Sequence, residues 1–254
     1  MGWFKNRTRN KIAARPFPNE WLDILINEVP IYDHLSDADK IELRRHIQIF
    51  MAEKNFEGCN GFKITDWTRI TIAAYACVLL LHRRTDYYPG LSSILVYPDA
   101  FIAHHKEYLP DGMVVEGPEV ISGQSWRRGT VILSWNDIQL DIADTRDGRN
   151  VIFHEFAHQI DTSGGAGDSS DVLKDNDSFA AWANVLHENY LELKEATEFY
   201  KPCLLDEYGA ESPAEFFAVA TEFFFEKPIE MKSVHPELYD ELMRFYNQDP
   251  SEYN

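Results

Sequence analysis

Cysteine is scarce in this chain. Its 254 residues hold three, Cys59, Cys77 and Cys203, an odd number with no Cys-x-x-Cys spacing. That argues against a disulfide framework or a thiolate zinc site and points to a reducing compartment, the cytoplasm. Long apolar runs are missing too. The longest, Ile70–Leu81, covers 12 residues and is closed by His82, Arg83 and Arg84. It is too short to span a bilayer, so it reads as a buried helix and no membrane partner is expected. The first residues, MGWFKNRTRNKIAARPF, have a basic start with no apolar stretch behind it, unlike a secretory leader. Asn6 stands where a myristoylation signal needs Ser or Thr.

Positive charge is also in short supply. Lys and Arg number 24 against 42 Asp and Glu, a formal charge of −18. The deficit is one-sided: residues 1–90 carry 13 basic and 11 acidic side chains, leaving 11 and 31 for residues 91–254. So acidic a surface repels phosphate backbones, and direct nucleic-acid binding is not expected. Core-forming residues are plentiful, at 44% hydrophobic and 13% aromatic, with no repeat and no low-complexity tract. The composition is that of a packed globular protein.

Apolar spacing predicts helices over 19–32, 36–55 and 66–82, the second N-capped by Ser36 with Asp37 and Asp39 in its first turn. Short β-branched segments at 93–98, 113–121 and 130–135 read as strands. Helical spacing returns after Gly148, with further helices over about 178–200, 213–227 and 235–246. A Gly-, Ser- and Asp-rich loop at 162–178 interrupts it. Helices, then a small sheet, then helices predict an α+β fold.

The chemistry concentrates in DGRNVIFHEFAHQID, residues 147–161. His154 and His158 are four apart, so on a helix they share a face and both imidazoles reach one metal ion. Glu155 lies about 100° around the same helix, placed to touch a metal-bound water without ligating the metal. Gly148 and Asn150 mark the helix start. The apolar flanks make this a buried helix, in which three polar side chains need partners that zinc supplies. Two other histidine-containing pairs read as surface features. His187–Glu188 has nothing after it to complete a site, and the side chains of adjacent His104 and His105 diverge.

A hydrolytic zinc needs a third protein ligand. No His follows within QIDTSGGAGD, so the candidates lie in YGAESPAEFFAVATEFFF, residues 208–225. Ser212 fits an N-cap and Pro213 a first helical position, which leaves Glu211 outside the helix. Glu215 and Glu222 are seven apart and share a face. Ser-Pro-Ala-Glu is also a capping-box pattern, in which Glu215 would fold back on its own helix start. Spacing leaves Glu215 and Glu222 level.

DGRNVIFHEFAHQID and YGAESPAEFFAVATEFF closely resemble the Mlc titration factor A family of bacterial zinc metallopeptidases, and WRRGTVILSW is similar to it as well. The match is specific over the C-terminal half and diffuse over residues 1–90. The resemblance implies a gluzincin in which one Zn2+ per chain is held by His154, His158 and Glu215, with Glu222 demoted to a position behind the ligands or on the helix surface. It implies that Tyr208, seven residues before Glu215, serves the transition state, and that Glu155 is the general base for a metal-activated water. Asp161 is a further candidate, to accept the spare N–H of a ligating imidazole. The strand Val131–Trp135 is expected above the site as an edge strand for an extended peptide, with Trp135 a packing residue.

The expectation is therefore a single domain over 1–254, with a helical lead-in to about residue 90. A zincin-like catalytic core with a small mixed sheet follows from about 91. Its function would be zinc-dependent hydrolysis of peptide or protein substrates, with aminopeptidase-like activity implied by the resemblance alone. The alternative from a different class is a regulatory protein that sequesters a transcriptional repressor, with peptidase activity secondary. The acidic half would suit a basic partner of that kind.

Overall fold

Three parallel strands make up most of the small sheet, and a computed structural model describes them together with the rest of residues 2–99, 101–108, 114–121, 123–124, 129–162 and 176–253. Strands β1 (Asn55–Gly58), β2 (Ser93–Tyr97) and β6 (Thr130–Ser134) run parallel, and β5 (Gly123–Gln124) pairs antiparallel with β6. The register sets Asn55 opposite Ser93 and Ser93 opposite Thr130. A separate antiparallel pair, β3 (Phe101–Tyr108) and β4 (Val114–Ile121), sets Phe101 opposite Ile121. The fold is α+β, mostly helical with a small mixed sheet. His104 and His105 fall on β3, but their side chains lie outside the described residues, as does most of the 162–178 loop.

Two strand expectations need correction. The third strand stops at Ser134, whose Oγ accepts the Asp137 N–H at 3.3 Å and caps α6 (Trp135–Ala143). Trp135 is therefore helical and buried against Trp67, as a packing residue should be. Nor is β6 an open edge. It lies between β2 and β5, with Gly123 opposite Leu133 and Gln124 opposite Ile132. Val131, Ile132, Leu133 and Ser134 are all buried, and such an unbroken run suits a strand covered on both faces.

Helices α1 (Gly2–Ala13), α2 (Asn19–Glu28), α3 (Pro30–His34) and α4 (Asp37–Glu53) precede the sheet. The expected helix 19–32 is two helices, because Pro30 has no N–H to continue the ladder and pushes Val29 out of helical geometry. Ser36 caps α4 as predicted, accepting the Asp39 N–H at 3.1 Å. Helix α1 went unread because its sequence is polar. It is tied down by the buried Arg9, whose guanidinium meets both oxygens of Glu53 at 2.7 Å and Asp86 at 2.6 Å.

Helix α5 (Asp66–Val78) lies in the core and opens on a capping box between Thr65 and Thr68. It ends four residues before the sequence suggested. Leu79, Leu80 and Leu81 remain buried, but the chain tightens there, and His82 turns into left-handed backbone at φ 59°.

Helices α7 (Val151–Thr162), α8 (Asn176–Glu198), α9 (Pro213–Glu226), α10 (Pro228–Val234) and α11 (Pro236–Tyr246) complete the chain. Helix α7 packs on α5, α9 and strands β5 and β6. Its inward face carries Phe153, stacked on Phe225 at 4.8 Å, and Phe156, edge-on to Tyr88 at 4.9 Å. Truncating either ring to Ala would cost about 3–5 kcal/mol. With that face committed to the core, the opposite face, bearing His154 and His158, turns toward the start of α9. No described helix is long and apolar enough to cross a membrane.

Candidate metal centre

The approach to α7 is built to start a helix at one residue. Gly148 adopts φ +88°, and a Cβ there would lie 2.7 Å from the Phe223 ring, so only glycine fits. Asn150 follows as the N-cap, its Oδ1 accepting the Phe153 N–H at 3.1 Å. Three carboxylates gather round the helix start, where its dipole favours negative charge. Asp141 accepts the Val151 N–H at 2.7 Å, Glu222 the Asn150 N–H at 2.6 Å, and Glu226 the Asn150 Nδ2–H at 3.0 Å. Burial raises Asp141 to about 7 and Glu226 to about 8.

One turn on, three donor atoms converge. His154 Nε2 and His158 Nε2 lie 3.0 and 3.2 Å from Glu215 Oε2, and 3.2 Å from each other. A tetrahedral ion with bonds of about 2.0–2.1 Å holds its donors about 3.3 Å apart, so the three atoms sit at ligand spacing. Ser212 caps α9 by accepting the Glu215 N–H at 3.1 Å, while the Glu215 carboxylate faces the two imidazoles. The capping and metal-facing readings of Glu215 thus divide between its backbone and its side chain.

Glu222 lies behind the site, its Oε1 2.7 Å from His154 Nδ1. If His154 donates Nδ1–H to that carboxylate, its Nε2 lone pair faces Glu215 Oε2 at 3.0 Å and His158 Nε2 at 3.2 Å. A cation between them satisfies all three atoms. In the metal-free chain that cation is a proton. Burial lowers the basicity of His154, but its hydrogen bonds to Glu215 and Glu222 outweigh this and raise it to about 10. Burial likewise works against Glu215, yet the hydrogen bonds from both imidazoles hold it near 2. Metal ions displace such protons.

Glu155 is 2% exposed, and its Oε2 is buried with no hydrogen-bond partner among the described residues. Burial raises it to about 7, against the pull of the two imidazoles. Tyr208 sits on the 3-10 turn Glu207–Ala210, its ring 5.8 Å from that of His154. It stands at the rim, 46% exposed.

The structure thus brings together all five residues singled out as catalytic or metal-ligating, with Glu222 behind them. Asp161 is exposed at the end of α7, and the carboxylate on His154 Nδ1 is Glu222. His187 and Glu188 are exposed on α8, as read. Asn150 was legible as a helix start. Asp141 and Glu226 carry no local signal, since each meets the helix start only through the fold.

A second group, Asp39, Glu42 and His82, also gathers potential ligands. There His82 Nδ1 meets the Asn247 carbonyl at 3.0 Å and Nε2 meets Asp39 at 2.5 Å. With an acceptor at each ring nitrogen, His82 reads as an imidazolium bridging α4 to the end of α11.

The sequence model of the family described as glucose-regulated metallo-peptidase M90 matches residues 3–247. An uncharacterized protein of Synechocystis sp. is 42% identical over 242 residues, 94% of this chain and 88% of its own. Two proteins called Mlc titration factor A are also similar. That of Klebsiella pneumoniae is 32% identical over 87% of this chain and 84% of its own. That of Cronobacter sakazakii is 32% identical over 98% and 91%.

Proposed function

The chain belongs to the glucose-regulated metallo-peptidase M90 family, and from that premise we propose that it is a zinc-dependent peptidase of the gluzincin type, with a zincin-like core in a single domain. His154, His158 and Glu215 would hold one zinc ion per chain. Bound there, zinc supplies Lewis acidity and lowers the pKa of water toward neutrality. Glu155 takes the proton of the attacking water and returns it to the leaving amine. Tyr208 donates its hydroxyl to the oxyanion developing on the scissile carbonyl. Glu222 keeps His154 in the Nδ1–H tautomer, with its Nε2 lone pair free for the metal.

The observation that carries this reading is the convergence of three donor atoms within 3.2 Å, beside a buried carboxylate with one oxygen unpartnered among the described residues. Aminopeptidase-like action on small peptides is part of the proposal, as is a cytoplasmic location suited to three free cysteines. The test is metal analysis of the purified protein beside hydrolysis of a peptide panel, each peptide with a free or acetylated amino terminus, with and without chelator. Full activity in metal-free protein would overturn the proposal, and equal rates on acetylated peptides its aminopeptidase part.

The name of two relatives and the acidity of residues 91–254 support a second reading, a regulatory protein that sequesters a basic transcriptional repressor. Unchanged repressor binding by a Glu155→Gln variant would favour it. A pure binder needs neither Glu155 nor Tyr208.

A further inference from the structure

Tyr208 stands 46% exposed on a four-residue turn, and an oxyanion donor is useful only when its position is fixed. On its buried side the Tyr208 turn is anchored through Gly209, where a Cβ would lie 3.0 Å from Leu193 on α8 and 3.4 Å from Val219 on α9. The Gly209 N–H bonds the Asp206 carbonyl at 3.1 Å. These contacts fix the turn to α8 and α9. They do not fix it to α7, which carries His154, Glu155 and His158.

Asp206 makes that connection. Its Oδ1 accepts the Tyr208 N–H at 2.9 Å, and its Oδ2 accepts from Arg149 Nη2 at 2.7 Å. Arg149 directly precedes the N-cap of α7, and its own N–H is held by Asp147 Oδ1 at 2.8 Å. One carboxylate therefore joins the backbone of Tyr208 to the residue just before the N-cap of the helix that carries His154 and His158. We infer that the Arg149–Asp206 pair is a positioning device that sets Tyr208 over the metal site, with Arg149 and Asp206 acting on turnover through Tyr208 alone. The inference rests on the role proposed for Tyr208.

The Arg149 side chain is 68% exposed, and an ion pair so open to water adds little to global stability. Its removal should therefore leave the melting temperature nearly unchanged and act on rate. Arg149→Met, Arg149→Lys and Asp206→Asn would each be made in the natural chain and in a Tyr208→Phe background. Arg149→Met should lower kcat about three- to tenfold at unchanged KM and full zinc content, the scale of a small misplacement. Arg149→Lys should recover most of that, because the bond is single. Asp206→Asn keeps an acceptor for the Tyr208 N–H but turns an NH2 donor to Arg149, so its loss should match that of Arg149→Met. In the Tyr208→Phe background none of the three should cost more. Amide hydrogen exchange over 206–211, measured with and without zinc, should quicken in Arg149→Met while α7 and α9 keep their protection.

Wild-type kcat in Arg149→Met would overturn the inference. So would an equal loss with and without the tyrosine hydroxyl, or a change confined to KM, either of which would make Arg149 a direct substrate contact. Full turnover in Tyr208→Phe alone would instead sink the proposed role of Tyr208, and the positioning inference with it.

Discussion

Glu222 reaches from α9 to His154 on α7 and sits 2.7 Å from its Nδ1, on the side of the ring away from Glu215. The two glutamates, seven apart on one helix face, thus grip one imidazole from its two ends. One stands where a metal ligand would, and the other faces the opposite ring nitrogen, where on the proposed reading it holds the tautomer that frees Nε2 for the metal.

This arrangement separates the two residues by experiment. Glu215→Ala should empty the metal site. Glu222→Gln should only weaken it, by about ten- to a hundredfold in zinc affinity, the usual effect of losing an outer-shell partner. Competition with a chelator of known affinity would measure both. The reverse order, with zinc kept in Glu215→Ala and lost in Glu222→Gln, would reassign the third ligand.

Glu155→Gln keeps the size of the side chain and removes the base. Zinc content should be unchanged, while hydrolysis falls at least about a hundredfold. Metal analysis and single-turnover rates on the same preparation would check this, and retained activity would point to another base.

Tyr208→Phe should leave folding and zinc content intact, since the ring is kept. Turnover should drop about ten- to a thousandfold with little change in KM, because the hydroxyl is needed only once the oxyanion forms. Steady-state kinetics on a peptide amide would show it. A fall in affinity alone would make Tyr208 a substrate-binding residue.

The His82 bridge predicts a pH dependence of stability. Burial lowers its pKa, but the acceptors Asp39 and the Asn247 carbonyl overcome this and raise it above the ordinary value of about 6.5. The bound proton stabilises the folded state, so the contribution is complete below that ordinary value and is lost as pH rises through the raised one. Denaturant melts across this range should show the decline, and His82→Asn, which tolerates the left-handed backbone, should flatten it. An identical slope in the variant would place the titration elsewhere.

Much of the site was legible because its spacing is local. A spacing of four between two histidines, with a glutamate beside the first, fixes one helix face whatever surrounds it, and an apolar run after Gly148 and Asn150 makes that helix. Ser36, Ser212 and Asn150 were readable as caps for the same reason: a cap binds within three residues of itself. Polar α1 was not readable, because it is held by an arginine whose partners, Glu53 and Asp86, lie far along the chain. The break at Val29–Pro30 was available in the sequence and is explained by proline alone.

The sequence by itself determined the candidate ligand types, the helix that presents two of them, and the two candidates for the third, since these follow from chain geometry over a turn or two. Only the tertiary structure decided where the Glu215 and Glu222 carboxylates come to rest. They share a face of α9, so periodicity treats them alike. The packing of α9 against α7 sets the first beside both imidazole Nε2 atoms and the second behind one ring, where it also meets the Asn150 N–H. The same packing joined Arg149 to Asp206 across 57 positions of sequence. Long-range pairs like these depend on where whole helices come to rest, and no local pattern encodes that.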